Sequence, residues 1–204
     1  VSRIDSQANI IDQPIVINGD KRIRSLIKGV NPFVHGSIMM RKSTVDTVKG
    51  YRNGFRYAQD YDLWLRISEI TFVDNLLERL YRLRIHPAGI SKQKLPIQIQ
   101  YAAIAWYFAN ERHNEGSDSY TIMNKDFNGD IDAFFKLPRI KNEINCLVGK
   151  FSFCFGEREN AYQSFSHAHG ISNILYRFVC RRNWTFMLAR ETARFLMTQK
   201  SKYL

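Results

Sequence analysis

The stretch that most constrains the fold is a pair of acids followed by an apolar run, Gln59-Asp-Tyr-Asp-Leu-Trp-Leu-Arg66. Asp60 is placed to cap the N-terminus of a helix, and Asp62 falls in the first turn, where the helix dipole favours an anion. The apolar residues recur at helical spacing and predict a short helix with one buried face. The residues of that face are Leu63, Trp64, Ile67 and Ile70.

The two acids allow two interpretations. In the first they only start the helix, and Asp62 pairs with Arg66 one turn later. In the second, Asp60 is a general base, because a carboxylate kept ionised by the helix dipole can accept a proton from a nearby hydroxyl. Capping acids are common in proteins, so the neighbouring motifs must decide between the two.

Three further motifs surround this stretch. Asn-Pro-Phe-Val-His-Gly-Ser-Ile-Met-Met-Arg occupies residues 31–41, Val-Lys-Gly-Tyr-Arg occupies 48–52, and Tyr-Arg-x-x-x-His occupies 81–86. In order and spacing, the four motifs resemble the acceptor half of family two glycosyltransferases. These are inverting enzymes of the GT-A fold that build bacterial surface polysaccharides. The resemblance covers residues 1–91.

The resemblance implies an α/β protein in which residues 1–94 form a partial GT-A type mixed sheet with flanking helices. Residues 1–12 fit two short strands joined by a polar turn. The donor-binding half, which in the family carries an Asp-x-Asp metal motif, is absent, so we expect a C-terminal piece of a longer enzyme that is inactive alone. Residues 95–204 form an all-α appendage, with helices predicted over 96–111, 134–155, 158–167 and 171–198.

The apolar segment 34–41 predicts a strand, and Gly36 would permit close approach by a ligand or a neighbouring segment. In the family this strand lines the acceptor site. The resemblance therefore makes His35, Gly36, Ser37 and Met39 contact candidates, whereas Ile38 and Met40 fit a buried position in the sheet.

The same resemblance assigns chemistry to the central stretch. The family usually carries Glu-Asp where this chain has Gln59-Asp60, so the position of the base is kept and the preceding acid becomes an amide. Asp60 is thus the expected catalytic base, with Gln59, Asp62 and Trp64 beside the acceptor or donor. For Asp62 a structural role in a pair with Arg66 is the alternative, and for Trp64 a place in the core.

Arg82 and Arg84 should share one face of a strand over 81–85, and guanidinium groups suit diphosphate oxygens. His86 stands where many GT-A enzymes place a late metal ligand, so the resemblance implies Mn²⁺ or Mg²⁺ as cofactor. Asp-x-Asp also occurs at 60–62 and 130–132, but neither copy follows a buried apolar strand. Both copies are expected to be chance matches.

The net charge of +11 is uneven, with 16 basic and 9 acidic residues in 1–94 and 9 and 3 in 150–204. Such a balance suits nucleotide phosphates or an anionic membrane surface. No nucleic-acid-binding motif is recognisable, so nucleic acid is not an expected partner. Basic, apolar residues in 171–198 would suit either a membrane surface or ordinary helix packing.

Three cysteines without metal spacing, and no apolar stretch of transmembrane length, predict a cytoplasmic protein, with a peripheral position on the inner face of the membrane as a further expectation. The expected function is transfer of a sugar from a nucleotide-sugar donor to a glycan or lipid-linked acceptor in cell-surface polysaccharide synthesis. A non-catalytic remnant, or a module that binds a membrane or partner through basic helices, is the alternative.

Overall fold

A computed structural model describes residues 1–86 and 94–168. It is mixed α/β, with a small sheet and three helices followed by a helical region. A short 3₁₀ turn, His35–Ser37, lies between the first two helices. The elements are β1 (Ser2–Ile4), β2 (Ile10–Asp12), α1 (Asp20–Leu26), α2 (Lys42–Thr47), α3 (Gln59–Ile70), β3 (Arg82–Arg84), α4 (Leu95–Glu115), α5 (Tyr120–Asp126), α6 (Ile131–Phe135), α7 (Pro138–Phe155) and α8 (Arg158–His167).

The three strands form a mixed sheet in the order β2-β1-β3. β1 pairs antiparallel with β2 and parallel with β3. The Asp5 carboxylate accepts hydrogen bonds from the backbone N–H groups of Gln7 and Asn9, at 2.9 and 2.8 Å, and so closes the turn between β1 and β2. The predicted strand, polar turn and strand at the start of the chain are therefore confirmed.

Helix α3 begins one residue before the predicted cap. The Ala58 carbonyl accepts the first helical hydrogen bond, from the backbone N–H of Asp62 at 3.1 Å. Ala58 is therefore the cap residue, in a left-handed conformation with φ 51°. Asp60 lies inside the first turn, and its prediction as the N-cap was wrong. Ile70 is also wrong as a core residue, because the helix ends there and its side chain is 52% exposed, whereas Leu63, Trp64 and Ile67 are buried.

The predicted strand over residues 34–41 was wrong. The chain forms the 3₁₀ turn there because both the backbone N–H and the hydroxyl of Ser37 donate to the Val34 carbonyl, at 2.9 and 2.8 Å. Met39 is 98% exposed and Met40 is 38% exposed, so neither is buried in a sheet. The close approach expected at Gly36 is present, since a Cβ there would lie 2.8 Å from the Tyr81 ring carbon that bears the hydroxyl.

The helical region matches its prediction in part. Helix α4 continues to Glu115, beyond the predicted end at residue 111, and α5 was not predicted. The helix predicted over 134–155 is two helices, α6 and α7, separated at Leu137, whose backbone is extended. Pro138 explains the break, because proline disfavours helical backbone at the residue before it and suits the first turn of a helix. Gly156, with φ 84°, ends α7 as predicted, and α8 has its predicted bounds.

A single apolar core joins the two parts of the chain. Buried residues form one continuous cluster from Ile27 to Phe151. Tyr61 of α3 meets Phe151 of α7 edge-on, with 6.2 Å between ring centroids, and Phe55 meets both Tyr101 and Phe108 of α4. The division at 94/95 stays a prediction, and it falls next to the start of α4.

Among the helices of residues 1–86 and 94–168, none has the length and apolar character needed to cross a membrane. The predicted helix over 171–198, with its basic and apolar residues, lies outside the described residues.

Candidate functional site

Asp60 lies at the start of α3. One of its carboxylate oxygens accepts a backbone hydrogen bond, and the other faces a histidine. Its Oδ1 accepts a hydrogen bond from the Tyr61 backbone N–H at 2.9 Å. Its Oδ2 lies 3.8 Å from Nδ1 of His35, and the Asp60 side chain is 24% exposed. The first turn of a helix favours an ionised carboxylate. The position thus suits a group that takes up a proton.

The His35 ring contacts two aromatic side chains, Tyr51 and Trp64. Its Nε2 lies 3.4 Å from the Tyr51 hydroxyl, and the two rings are nearly parallel, at 2°. Trp64 meets the imidazole edge-on, with centroids 6.0 Å apart. Burial, with the Asp60 charge as a smaller cause, raises the pKa of Tyr51, so its phenol stays neutral at physiological pH. The sequence had indicated Asp60, His35 and Trp64 separately, and the structure brings them together.

Tyr51 was not among the predicted site residues, although it belongs to the Lys-Gly-Tyr motif. The sequence signal that could have indicated Tyr51 is the preceding Gly50, because a glycine at this point predicts a turn. Its φ of 64° lies in the region that favours glycine. Lys49 is also left-handed, with φ 60°. These two residues turn the chain after α2, and Tyr51 follows them to the side of His35.

Asp62 is fully buried and bound by two arginines. Arg66 donates to Asp62 Oδ2 from Nε at 3.0 Å and from Nη2 at 2.7 Å, and Arg52 Nη1 lies 3.3 Å from Oδ1. Arg66 also donates to the carbonyls of Val48 and Gly50, at 2.6 and 2.8 Å. The predicted pairing of Asp62 with Arg66 is confirmed. Because the carboxylate has no exposed surface, this geometry supports a structural role for it.

The ion pairs extend from Asp62 into the helical region. Arg52 also pairs with Asp118, at 2.7 Å, and its guanidinium stacks over the Tyr120 ring at 4.2 Å. Asp118 in turn binds Arg112 of α4, which holds Glu69 of α3 at 2.7 Å. Asp118 follows α4 in a loop, where no local sequence pattern indicates a long-range partner.

A cavity of about 420 Å³ opens next to Trp64. Its wall is about half polar and half apolar, and it includes Trp64 and the exposed Met39, two of the predicted contact residues. Trp64 thus lies between this cavity and the His35 ring. A larger cavity, of about 540 Å³, lies between α1, α3 and α4, and none of the predicted site residues lines it. The remaining wall of the smaller cavity consists of Phe33, Ile38, Met40, Arg41, Thr44, Ile67, Thr71, Phe72, Val73 and Asp74.

The other predicted contact residues lie in three separate elements: α3, the 3₁₀ turn and β3. Gln59 starts α3 half-buried, and Ser37 is exposed in the 3₁₀ turn. Arg82 and Arg84 are both exposed, on one face of β3, as predicted. Arg84 donates to the carbonyls of Asp5 and Ser6 in the β1–β2 turn, at 2.6 and 2.8 Å.

The described residues do not by themselves fit the divalent metal that the resemblance implies. His86 is exposed after β3, and within residues 1–86 and 94–168 no three acidic, histidine or cysteine side chains converge on one point. The two literal Asp-x-Asp matches have local roles instead. Asp62 pairs with arginines, and Asp130 caps α6 by accepting from the Ala133 N–H at 3.1 Å.

Two curated proteins share parts of this sequence. One, named "O-antigen biosynthesis glycosyltransferase WbnJ", from Escherichia coli, is 38% identical over 136 residues, which are 65% of this chain and 42% of that protein. The chain is related to glycosyltransferases. The other, "Putative glycosyltransferase EpsE" from Bacillus subtilis (strain 168), is 40% identical over 78 residues, which are 37% of this chain and 28% of that protein.

The chain thus spans less than half the length of these two curated relatives. No family model and no solved structure matches it.

Proposed function

We propose that the protein to which this chain belongs transfers a sugar from a nucleotide-sugar donor to a hydroxyl of a glycan or lipid-linked acceptor, with inversion. The observation that carries this proposal is the Asp60 carboxylate, fixed through Oδ1 at a helix start and still accessible through the rest of the group. Both relatives are named as glycosyltransferases, and the name of one also states O-antigen biosynthesis, which supports sugar transfer in polysaccharide synthesis. The proposed place of action is the cytoplasmic face of the membrane.

In the proposed reaction, Asp60 Oδ2 takes the proton of the acceptor hydroxyl while the hydroxyl oxygen attacks the anomeric carbon of the donor. The bond between that carbon and the diphosphate oxygen breaks, and the nucleoside diphosphate leaves. A single displacement of this kind inverts the anomeric centre. The helix dipole at the first turn of α3 favours a negative charge at this position.

We propose that the acceptor hydroxyl lies beside Asp60 and His35, and that the rest of the acceptor reaches the cavity on the other side of Trp64. Met39 and Trp64 line that cavity, and Ser37 is exposed in the turn that follows His35. A wall that combines aromatic groups with polar ones suits a sugar, whose ring faces are apolar and whose hydroxyls need hydrogen-bond partners. Gln59 begins the same helix as Asp60 and is placed to contact polar groups of either substrate.

For the donor we propose the exposed residues Arg82 and Arg84 as diphosphate contacts, Arg84 through the N–H groups that do not donate to Asp5 and Ser6. Mn²⁺ or Mg²⁺ stays part of the proposal on the resemblance alone, with His86 as one ligand and the others outside the described residues. When bound, such a metal would stabilise the charge of the departing diphosphate.

A donor-binding half could also cover apolar side chains of the first part of the chain. Several large apolar side chains are exposed within residues 1–86, whereas the described helical region exposes few. A surface of this kind is costly in water and is usually covered by another part of the protein or by a partner. The exposed residues are Ile10, Ile11, Ile15, Phe72, Leu76, Leu77 and Leu80.

The test uses the enzyme as its gene encodes it and follows release of nucleoside diphosphate from UDP-glucose, UDP-N-acetylglucosamine and GDP-mannose. We expect Asp60→Asn to slow release by at least about 100-fold, the lower range for loss of a general base, while calorimetric binding of the nucleoside diphosphate is retained. Asp46→Asn, a change at an exposed carboxylate of α2, is the matched control. Release by Asp60→Asn within a few-fold of wild type would overturn the proposal, as would no release by folded wild-type enzyme.

A further inference from the structure

We propose that His35 is a positioning residue that takes the proton from Asp60 after each transfer and passes it to water. The inference rests on the proposed function of Asp60 and adds a second residue to it. Its basis is the row formed by the Asp60 carboxylate, the His35 imidazole and the Tyr51 hydroxyl, with separations of 3.8 and 3.4 Å.

The oxygen that faces His35 is the one with proton-accepting capacity to spare. Oδ1 of Asp60 is engaged by the Tyr61 backbone N–H, and Oδ2 lies towards Nδ1 of His35. A proton gained by Oδ2 can reach Nδ1 once the two atoms close from 3.8 Å to the hydrogen-bond range of about 2.6–3.2 Å, or through one water. The base would otherwise hold that proton until a water molecule or product removed it.

Tyr51 and Trp64 set the orientation that this role needs. With the Tyr51 phenol neutral, its oxygen can accept a hydrogen bond from Nε2–H of His35, which leaves the lone pair of Nδ1 facing Asp60. Trp64 meets the ring edge-on and limits its tilt. Among the described residues, the ionisable groups in contact with the imidazole are Asp60 of α3 and Tyr51 of the loop after α2.

The transfer balances without any further reactant. The O–H bond of the protonated Asp60 breaks and an N–H bond forms at Nδ1, so Asp60 returns to a carboxylate and His35 becomes an imidazolium ion. The imidazolium then releases a proton to solvent, to which the His35 side chain is 53% exposed. Asp60 is ready for the next acceptor, and His35 must be neutral when the proton arrives.

The first test is spectroscopic and needs no substrate. The ring protons of His35 are followed by NMR from pH 5 to 8 in the full chain, for wild type and for Asp60→Asn. If the two groups share a proton across the 3.8 Å between Oδ2 and Nδ1, Asp60→Asn should change the chemical shifts of the His35 ring over this pH range. Unchanged shifts in the variant would show that the two groups do not share a proton, and the proposal would fail.

The second test is kinetic and uses His35→Gln, which keeps a polar side chain that cannot take up a proton. We expect kcat to fall on the order of 10- to 100-fold, the range seen when a residue that orients a functional side chain is removed. KM for the donor should stay within about twofold of the wild-type value. The acid limb of the pH profile should move to lower pH, and added imidazole should restore part of the rate. Unchanged kcat, or an equal loss at every pH without imidazole rescue, would overturn the proposal.

The two proposals can fail separately. If Asp60→Asn is inactive and His35→Gln is normal, Asp60 is the base and the role of His35 is wrong. If Asp60→Asn is active, the proposed function is wrong, and the NMR titration still reports whether His35 responds to that carboxylate. Circular dichroism of each variant shows whether it is folded.

Discussion

The buried carboxylate of Asp62 gives the sharpest prediction about stability. Replacement by Asn removes the negative charge that neutralises Arg66, whose side chain is only 6% exposed. The same negative charge also neutralises part of the charge of Arg52. Breaking a buried ion pair from one side destabilises proteins by about 3–5 kcal/mol, because the remaining charge is left in a poorly solvated place. Arg66 keeps its bonds to two backbone carbonyls, and Asn can still accept one hydrogen bond. We therefore expect the lower end of that range, about 3 kcal/mol.

This free energy translates into a measurable shift in melting temperature. Unfolding entropy is about 2.1 cal/mol/K per residue, which for 204 residues gives about 0.4 kcal/mol/K. A loss of 3 kcal/mol thus lowers Tm by about 7 °C. Thermal unfolding at pH 7, followed by circular dichroism, measures the shift.

The chain provides a matched control on its surface. Asp46 and Lys42 are also four residues apart in a helix and also 2.7 Å apart, but their side chains are 60% and 89% exposed. Exposed pairs of this kind contribute less than about 0.5 kcal/mol, so Asp46→Asn should leave Tm within about 1–2 °C of wild type. Equal shifts in the two variants would refute the reasoning, since burial is the feature that separates them.

Two further predictions concern packing and pH. Gly149→Ala would place a Cβ 2.7–2.8 Å from three ring carbons of the buried Phe165. We expect this variant to lower the free energy of unfolding, measured in urea, by about 1–3 kcal/mol. Gly29→Ala should change that free energy little, because the nearest atom is 4.0 Å away. Similar losses in both variants would contradict the packing argument. Burial raises the pKa of Tyr61, whose hydroxyl donates to the Ile27 carbonyl, so wild-type stability should be complete below about pH 10 and fall above it. Tyr61→Phe should be less stable than wild type at pH 7. Above about pH 10 its free energy of unfolding should fall less steeply than that of wild type, by about 1.4 kcal/mol per pH unit. An equal decrease with pH in the two proteins would rule this out.

Several local physical signals led to correct predictions of the fold. Gly156 ends α7 because it can adopt positive φ, and the Asp62–Arg66 pair follows from helical spacing alone. Two failures are local as well, since Pro138 separates α6 from α7 and Ala58, not Asp60, caps α3. A further failure lies where a partner outside the segment decides the structure. The apolar run at 34–41 has no neighbouring strand in the described sheet, so the local bonds of Ser37 set a turn instead.

The same limit applies to the candidate site. Asp60 and His35 were each indicated by their motifs, but their adjacency joins positions 25 residues apart and depends on how α3 packs beside the turn. Nothing local connects Asp118 to Arg52, which lies 66 residues earlier in the chain. Such pairs are a property of the tertiary structure, and a single sequence does not contain them as a pattern.

The shared bonding of Asp118 limits how this protein can be recombined with its relatives. A chimaera that takes residues 1–94 from one parent and the helices from another separates Asp118 from Arg52. If the second parent lacks an acid at that position, the hybrid buries two arginines, Arg52 and Arg66, against the one carboxylate of Asp62. Exchange of residues 1–94 between such proteins would therefore require the acid after α4 and the arginine after α2 to be transferred as one set.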